Sequence, residues 1–213
     1  MMAMYLHLFS SYSQKAIMAF YEKGVPFEPL LLGGDETVGR EFAALWPVQR
    51  FPVLVDGTRL VFEATGIIEY LDALHPSPPL IPQERLAAAE VRMWDRFFDN
   101  YVNTPQQRII FAAVGREPDH GAQWRADLET AYAVLDRRMD GREWAAGEAF
   151  SLADCAAAPA LLYADWTWPI PAKFGHVHAY RARLLARPSY ARALDEARPY
   201  RHLFPLGAPE GRD

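Results

Sequence analysis

Cysteine is nearly absent from this sequence. Cys155 is the single one in 213 residues, which excludes an intrachain disulfide and a cysteine-rich zinc site and makes the reducing cytoplasm the expected setting. Long hydrophobic runs are missing as well, none approaching the ~20 residues needed to cross a bilayer, so no membrane association is expected. The opening Met1 to Phe9 has no basic stretch and is interrupted by His7, unlike a secretory signal. There is no excess of positive charge. Lys and Arg number 22 against 27 Asp and Glu, a net −5 that argues against a nucleic-acid partner held by charge. The remainder is ordinary globular composition, 51% hydrophobic and 23% charged, in a chain long enough for one large or two small domains. Residues 1–76 carry −4 of the net charge and residues 77–213 only −1, a shift that suggests two domains.

Met4 to Phe9 reads as a strand, Ser13 to Lys23 as a helix stopped by Gly24, and Phe27 to Leu32 as a second buried strand. Such a strand–helix–strand unit places its two strands parallel. A short helix over Glu36 to Leu45 follows. Pro52 to Val55 and Arg59 to Phe62 then form a hairpin about Asp56-Gly57, and Ala64 to Leu74 is an amphipathic helix. Residues 75–82 contain four prolines and predict a semi-rigid linker. Beyond it only helical patterns occur, over about 84–114, 121–140, 151–165, 173–186 and 189–198, with Pro105 expected to kink the first. The architecture expected is α/β followed by all-α: residues 1–76, a linker over 77–84, and a helical domain over 85–213.

Four short segments carry chemistry. Ser10-Ser11-Tyr12-Ser13-Gln14-Lys15 lies where a strand runs into a helix, whose unpaired N–H groups favour an anion; a serine there can cap the helix or donate to a bound thiolate. Phe51-Pro52 opens a strand and, if the bond is cis, turns the Phe51 backbone toward a peptide-like ligand. Glu63 at the start of the Ala64 helix can bind an amine while the N–H groups behind it bind a carboxylate; alternatively Glu63 or Thr65 caps the helix. Ser151-Leu152-Ala153-Asp154 fits a capping box, with a structural role only.

In this order and spacing, the four segments resemble the cytosolic glutathione transferases, above all through Phe62-Glu63-Ala64-Thr65-Gly66-Ile67-Ile68-Glu69-Tyr70-Leu71 and the Phe150-to-Asp154 box. The resemblance spans essentially the whole chain. It implies a thioredoxin-like first domain that binds glutathione as co-substrate and a helical second domain that builds the acceptor pocket, in a homodimer. It places Ser10 as the residue that activates the thiol, with Ser11 its possible substitute. It also places the Phe51 backbone beside a cis Pro52 against the cysteinyl part, Glu63 on the γ-glutamyl amine, the Ala64 N–H on its carboxylate and Arg50 on the glycyl carboxylate. The activity implied is conjugation of glutathione to a small hydrophobic electrophile, a detoxifying reaction. The alternatives are a glutathione-dependent isomerase or dehalogenase, or a non-catalytic binding protein of the same fold.

Three departures from the pattern matter. Ala64 replaces a serine and removes one hydroxyl, which Thr65 could supply instead. Phe51 is bulkier than the common valine. No cysteine lies near residue 10, and the Ser-Ser-Cys of the isomerase branch is Ser-Ser-Tyr here. On the first long helix Phe97, Tyr101, Thr104 and Arg108 share a face, and Tyr101 and Arg108, with Tyr163 and Trp166, are the expected pocket lining. No metal site is expected: His75 and the His176/His178 pair lack ligand company, and His7 reads as a packed histidine.

Overall fold

The computed structural model describes residues 1–212; Asp213, the end of the expected helical domain, lies outside them. Strand β1 (Ala3–Leu6) is shorter than expected because the chain turns at His7, where the Ser10 N–H closes onto the His7 carbonyl at 3.0 Å. Helix α1 (Ser11–Lys23) begins two residues early, since Ser10 is its N-cap, and it stops at Gly24, whose φ of 63° suits a residue without a side chain. Strand β2 (Glu28–Leu31) pairs parallel with β1, as the strand–helix–strand pattern predicts. It is not the buried strand expected. The sheet order β2-β1-β3-β4 leaves β2 at an edge with Glu28 and Pro29 exposed, where a proline's missing N–H is tolerated.

Asp35 caps α2 (Glu36–Leu45) through the Thr37 N–H at 2.7 Å. Strands β3 (Val53–Asp56) and β4 (Arg59–Phe62) form the antiparallel hairpin, with Gly57 at φ 59°, and α3 (Ala64–Leu74) follows. The proline segment is tied down: Lys23 pairs with Asp72 at 2.7 Å and donates to the His75 and Pro78 carbonyls, and Asp72 accepts the Leu80 N–H at 2.8 Å.

The helical domain comprises α4 (Arg85–Phe97), α5 (Thr104–Ala113), α6 (Gly121–Arg138), α7 (Leu152–Thr167), α8 (Gly175–Leu185), α9 (Pro188–Ala197) and a 3₁₀ turn over Arg198–Leu203. Between α4 and α5, residues Phe98–Asn103 form a π-helical turn. Pro105 accounts for it: its ring has no N–H and would collide with the carbonyl four residues back, so the helix widens just before it. The Thr104 N–H then reaches the Asp99 carbonyl, five residues back, and the Thr104 hydroxyl joins it at 2.9 Å.

The Ser151–Asp154 capping box forms as expected. Fully buried Asp154 accepts from the Ser151 N–H, the Ala145 N–H at 3.0 Å and the Tyr180 hydroxyl at 2.5 Å. Burial nevertheless holds its pKa above the usual carboxylate value. Around this helix start one apolar cluster runs from Met4, Leu6 and Ile17 of the sheet domain to Leu161 and Tyr180 of the helical one. The two domains therefore share a core.

Candidate functional site

Ser10 sits on the turn between β1 and α1. Its Oγ accepts the Ser13 N–H at 3.4 Å, a long cap bond, and its hydroxyl proton is still free to be donated. Capping and thiolate stabilisation are thus compatible. Ser11 is buried in the first helical turn, and Ser13 is fully buried, its hydroxyl without a partner among the described residues. Only Ser10 of the three is partly exposed.

The turn is held from behind by neutral side chains. The Gln14 amide donates to the Leu8 carbonyl at 3.0 Å and to the Tyr163 hydroxyl at 3.0 Å, while Tyr163 donates to the Phe9 carbonyl at 3.1 Å. Tyr190 of α9 donates to the Gln14 oxygen at 3.4 Å. Burial pushes the Tyr163 hydroxyl well above its usual pKa, so it stays a donor. Tyr163 and Trp166 therefore do not line an open acceptor pocket as expected; with Phe9 and Gln14 they wall a cavity of only about 10 Å³. Both are buried, packed on Phe9 and Phe204, because α7 turns this face into the shared core.

The second half of the site is the start of α3. Glu63 adopts φ 64°, a conformation that costs a non-glycine residue roughly 1–3 kcal/mol, and its exposed carboxylate does not cap the helix. Thr65 does not cap it either, nor can it replace the missing serine hydroxyl at Ala64. Its Oγ1 is bonded to Lys15 at 3.0 Å, to Asp95 at 2.9 Å and to Arg96. Among the described residues the start of α3 has no side-chain cap, the condition in which a helix start favours an anion.

Thr65 belongs to an ionic cluster that is buried except for Arg96, whose side chain is half exposed. Lys15 of α1 lies 2.5 Å from Asp95 and 2.8 Å from Asp99, and Arg96 lies 2.7 Å and 2.6 Å from the same two carboxylates. Two cations and two anions balance. Burial raises the Asp99 pKa, and Lys15 and Arg96 oppose the rise. Tyr12 reaches into the same region: its hydroxyl bonds the Asn103 side chain, and burial together with Asp99 raises its pKa. Glu63 adds to that rise.

The Phe51–Pro52 bond is cis, and Phe51 and Arg50 are exposed at the start of β3. The four expected pocket residues are not brought together. Tyr101 and Arg108 line a cleft of about 710 Å³ with Phe97, Thr104 and Trp124, between the π-turn, α5 and α6. Tyr163 and Trp166 are not among its walls. The shared face of Phe97, Tyr101, Thr104 and Arg108 is real, and it looks toward α6. Tyr12, Gln14 and Lys15 lie in the first candidate segment but had no role assigned to them from sequence, and Asp95, Arg96 and Asp99 were not among the candidates. A lysine inside the apolar face of α1 was the available signal.

A small mixed sheet with an open helix start at α3 and a serine at the start of α1, backed by an all-helical domain, defines a thioredoxin-like protein of the transferase type. Residues 4–79 match the glutathione S-transferase N-terminal domain family and residues 118–188 the glutathione S-transferase C-terminal domain family. FtsZ-localized protein A of Caulobacter vibrioides is 30% identical over 204 residues, 88% of each chain. Maleylacetoacetate isomerase of Mus musculus is 27% identical over 170 residues, 76% of this chain and 77% of that one. A glutathione S-transferase of Methylobacterium radiotolerans, solved in complex with glutathione sulfonate, superposes with a TM-score of 0.75 at 27% identity over 90% of this chain and 93% of that one. The chain belongs to the cytosolic glutathione S-transferase family.

Proposed function

We propose that the protein is a glutathione transferase that ionises the glutathione thiol beside Ser10 for attack on a small hydrophobic electrophile. The observation that carries this reading is the pairing of a partly exposed Ser10, free to donate, with the uncapped start of α3 next to Glu63. The Ser10 hydroxyl and the positive end of α1 stabilise the thiolate, Glu63 takes the γ-glutamyl amine, and the Ala64 N–H takes its carboxylate. Phe51 offers its backbone beside cis Pro52 to the cysteinyl part, and Arg50 pairs with the glycyl carboxylate. Glutathione binding belongs to residues 1–76, the proline segment 77–84 joins the domains, and residues 85–213 hold the electrophile. The cleft with Tyr101 and Arg108 is its proposed place. The protein works in the cytoplasm as a homodimer, with no metal.

The test is the thiolate absorbance of bound glutathione as a function of pH, in the wild type and in Ser10→Ala. Loss of ionisation near neutral pH in the variant supports the role of Ser10; an unchanged titration overturns it. Similarity to an isomerase keeps catalytic use of glutathione in play, and total thiol after many turnovers decides: it is conserved in isomerisation and consumed in conjugation.

A second reading is a non-catalytic binding protein. Ala64 favours it, because Thr65 is committed to the ionic cluster and no hydroxyl replaces the missing one, and so does the similarity to FtsZ-localized protein A. Glutathione affinity in the high millimolar range would favour this reading over the first.

A further inference from the structure

We infer that His7 is a positioning residue for the Ser10 turn, acting through its neutral imidazole. The inference rests on the reading of Ser10 as the thiol-activating residue. The backbone on both sides of the turn converges on His7: the Phe9 N–H donates to its Nδ1 at 3.1 Å, and the Ser10 N–H donates to its carbonyl at 3.0 Å. An Nδ1 that accepts has a free lone pair, so the ring is neutral with its proton on Nε2. The ring has neighbours on two sides. Tyr200 of the 3₁₀ turn meets it edge-on at 5.1 Å, and the loop after β2 passes so close that a side-chain carbon at Gly33 would lie 3.6 Å from Cδ2.

Protonation puts a hydrogen on Nδ1 and turns the acceptor into a donor facing the Phe9 N–H. The bond that holds Phe9, and with it the carbonyl on which Tyr163 is anchored, is then lost. The groups facing the ring from the packed elements are Tyr200 and the Gly33 backbone, and among the described residues no charged side chain contacts it. Burial alone moves the imidazole below the usual value of 6.5, which keeps the turn intact at neutral pH.

The test is amide hydrogen exchange at Phe9 and Ser10, expressed as protection factors between about pH 5 and 8, with the His7 ring titration followed by NMR. In the wild type, Phe9 protection falls about tenfold as His7 protonates, the worth of one hydrogen bond. His7→Asn, whose Oδ1 occupies the place of Nδ1, keeps the protection without the pH step; His7→Phe lacks it throughout. Protection in His7→Phe equal to wild type, or a flat wild-type profile across the ring titration, overturns the inference. The thiolate titration of bound glutathione separates this from the Ser10 reading. A thiol pKa depressed equally in wild type and His7→Phe rejects His7 and leaves Ser10 standing. An unchanged pKa in Ser10→Ala rejects Ser10, and the exchange data still decide for His7.

Discussion

Gln14 and Lys15 are neighbours on α1, and each carries a buried polar network from the sheet domain into the helical one. Gln14 uses neutral groups. It holds the Leu8–Phe9 backbone directly and through Tyr163, and every polar atom of its amide is paired. Lys15 uses charge, binding Asp95, Asp99 and Thr65 and so fixing the start of α3. One network sets the position of Ser10 and the other the position next to Glu63. The helical domain therefore does more than supply a second pocket: it determines the shape of the site on the sheet domain. The two networks differ in what their loss costs. A neutral network forfeits the net worth of a few hydrogen bonds, whereas an ionic one leaves charge stranded in a core.

Breaking the ionic side is expected to have the largest effect. Lys15→Met leaves Asp95 and Asp99 buried with Arg96 as their one remaining cation, a loss of about 3–5 kcal/mol read from urea denaturation. The triple variant with Asp95→Asn and Asp99→Asn recovers much of it, because no stranded carboxylate remains. Tyr163→Phe breaks the neutral side and is smaller, about 1–3 kcal/mol, since it orphans the Phe9 carbonyl and one Gln14 N–H without stranding a charge. Equal losses in the two variants would erase the distinction between the networks.

Ala64→Ser restores the hydroxyl that Thr65 cannot supply and tightens glutathione binding roughly tenfold by calorimetry, the worth of one added hydrogen bond. The smallest effect comes from pH. The His7 pKa lies below 6.5 in the folded state, so just below that value the unfolded chain holds more protons. Stability therefore rises with pH through this window and is lost on acidification. The thermal midpoint falls from pH 7 toward pH 5, and less so in His7→Asn.

The N-terminal strand–helix–strand unit, the hairpin at Asp56-Gly57 and the Ser151–Asp154 box were legible because each depends on local chemistry: periodicity, turn residues, capping. The edge position of β2 was not, because an apolar run has the same pattern at an edge as in the middle of a sheet, although Pro29 marks it in retrospect. Pro105 announced a disruption but not its form, a π-turn over Phe98–Asn103, and no local pattern said that the Tyr101 and Arg108 face would meet α6. The role of Lys15 was not legible because a helical lysine ordinarily reaches solvent; its burial depends on two aspartates 80 and more residues away, which no local pattern connects. Tyr163 and Trp166 were read as aromatics facing a ligand. The fold uses them to pack and brace the Ser10 turn.

The most direct test of the account is glutathione binding by calorimetry, with wild type and Glu63→Ala measured side by side. The account predicts micromolar to low-millimolar binding by the wild type and its loss in the variant. No binding by the wild type, or equal binding by both, would contradict a glutathione site at the start of α3.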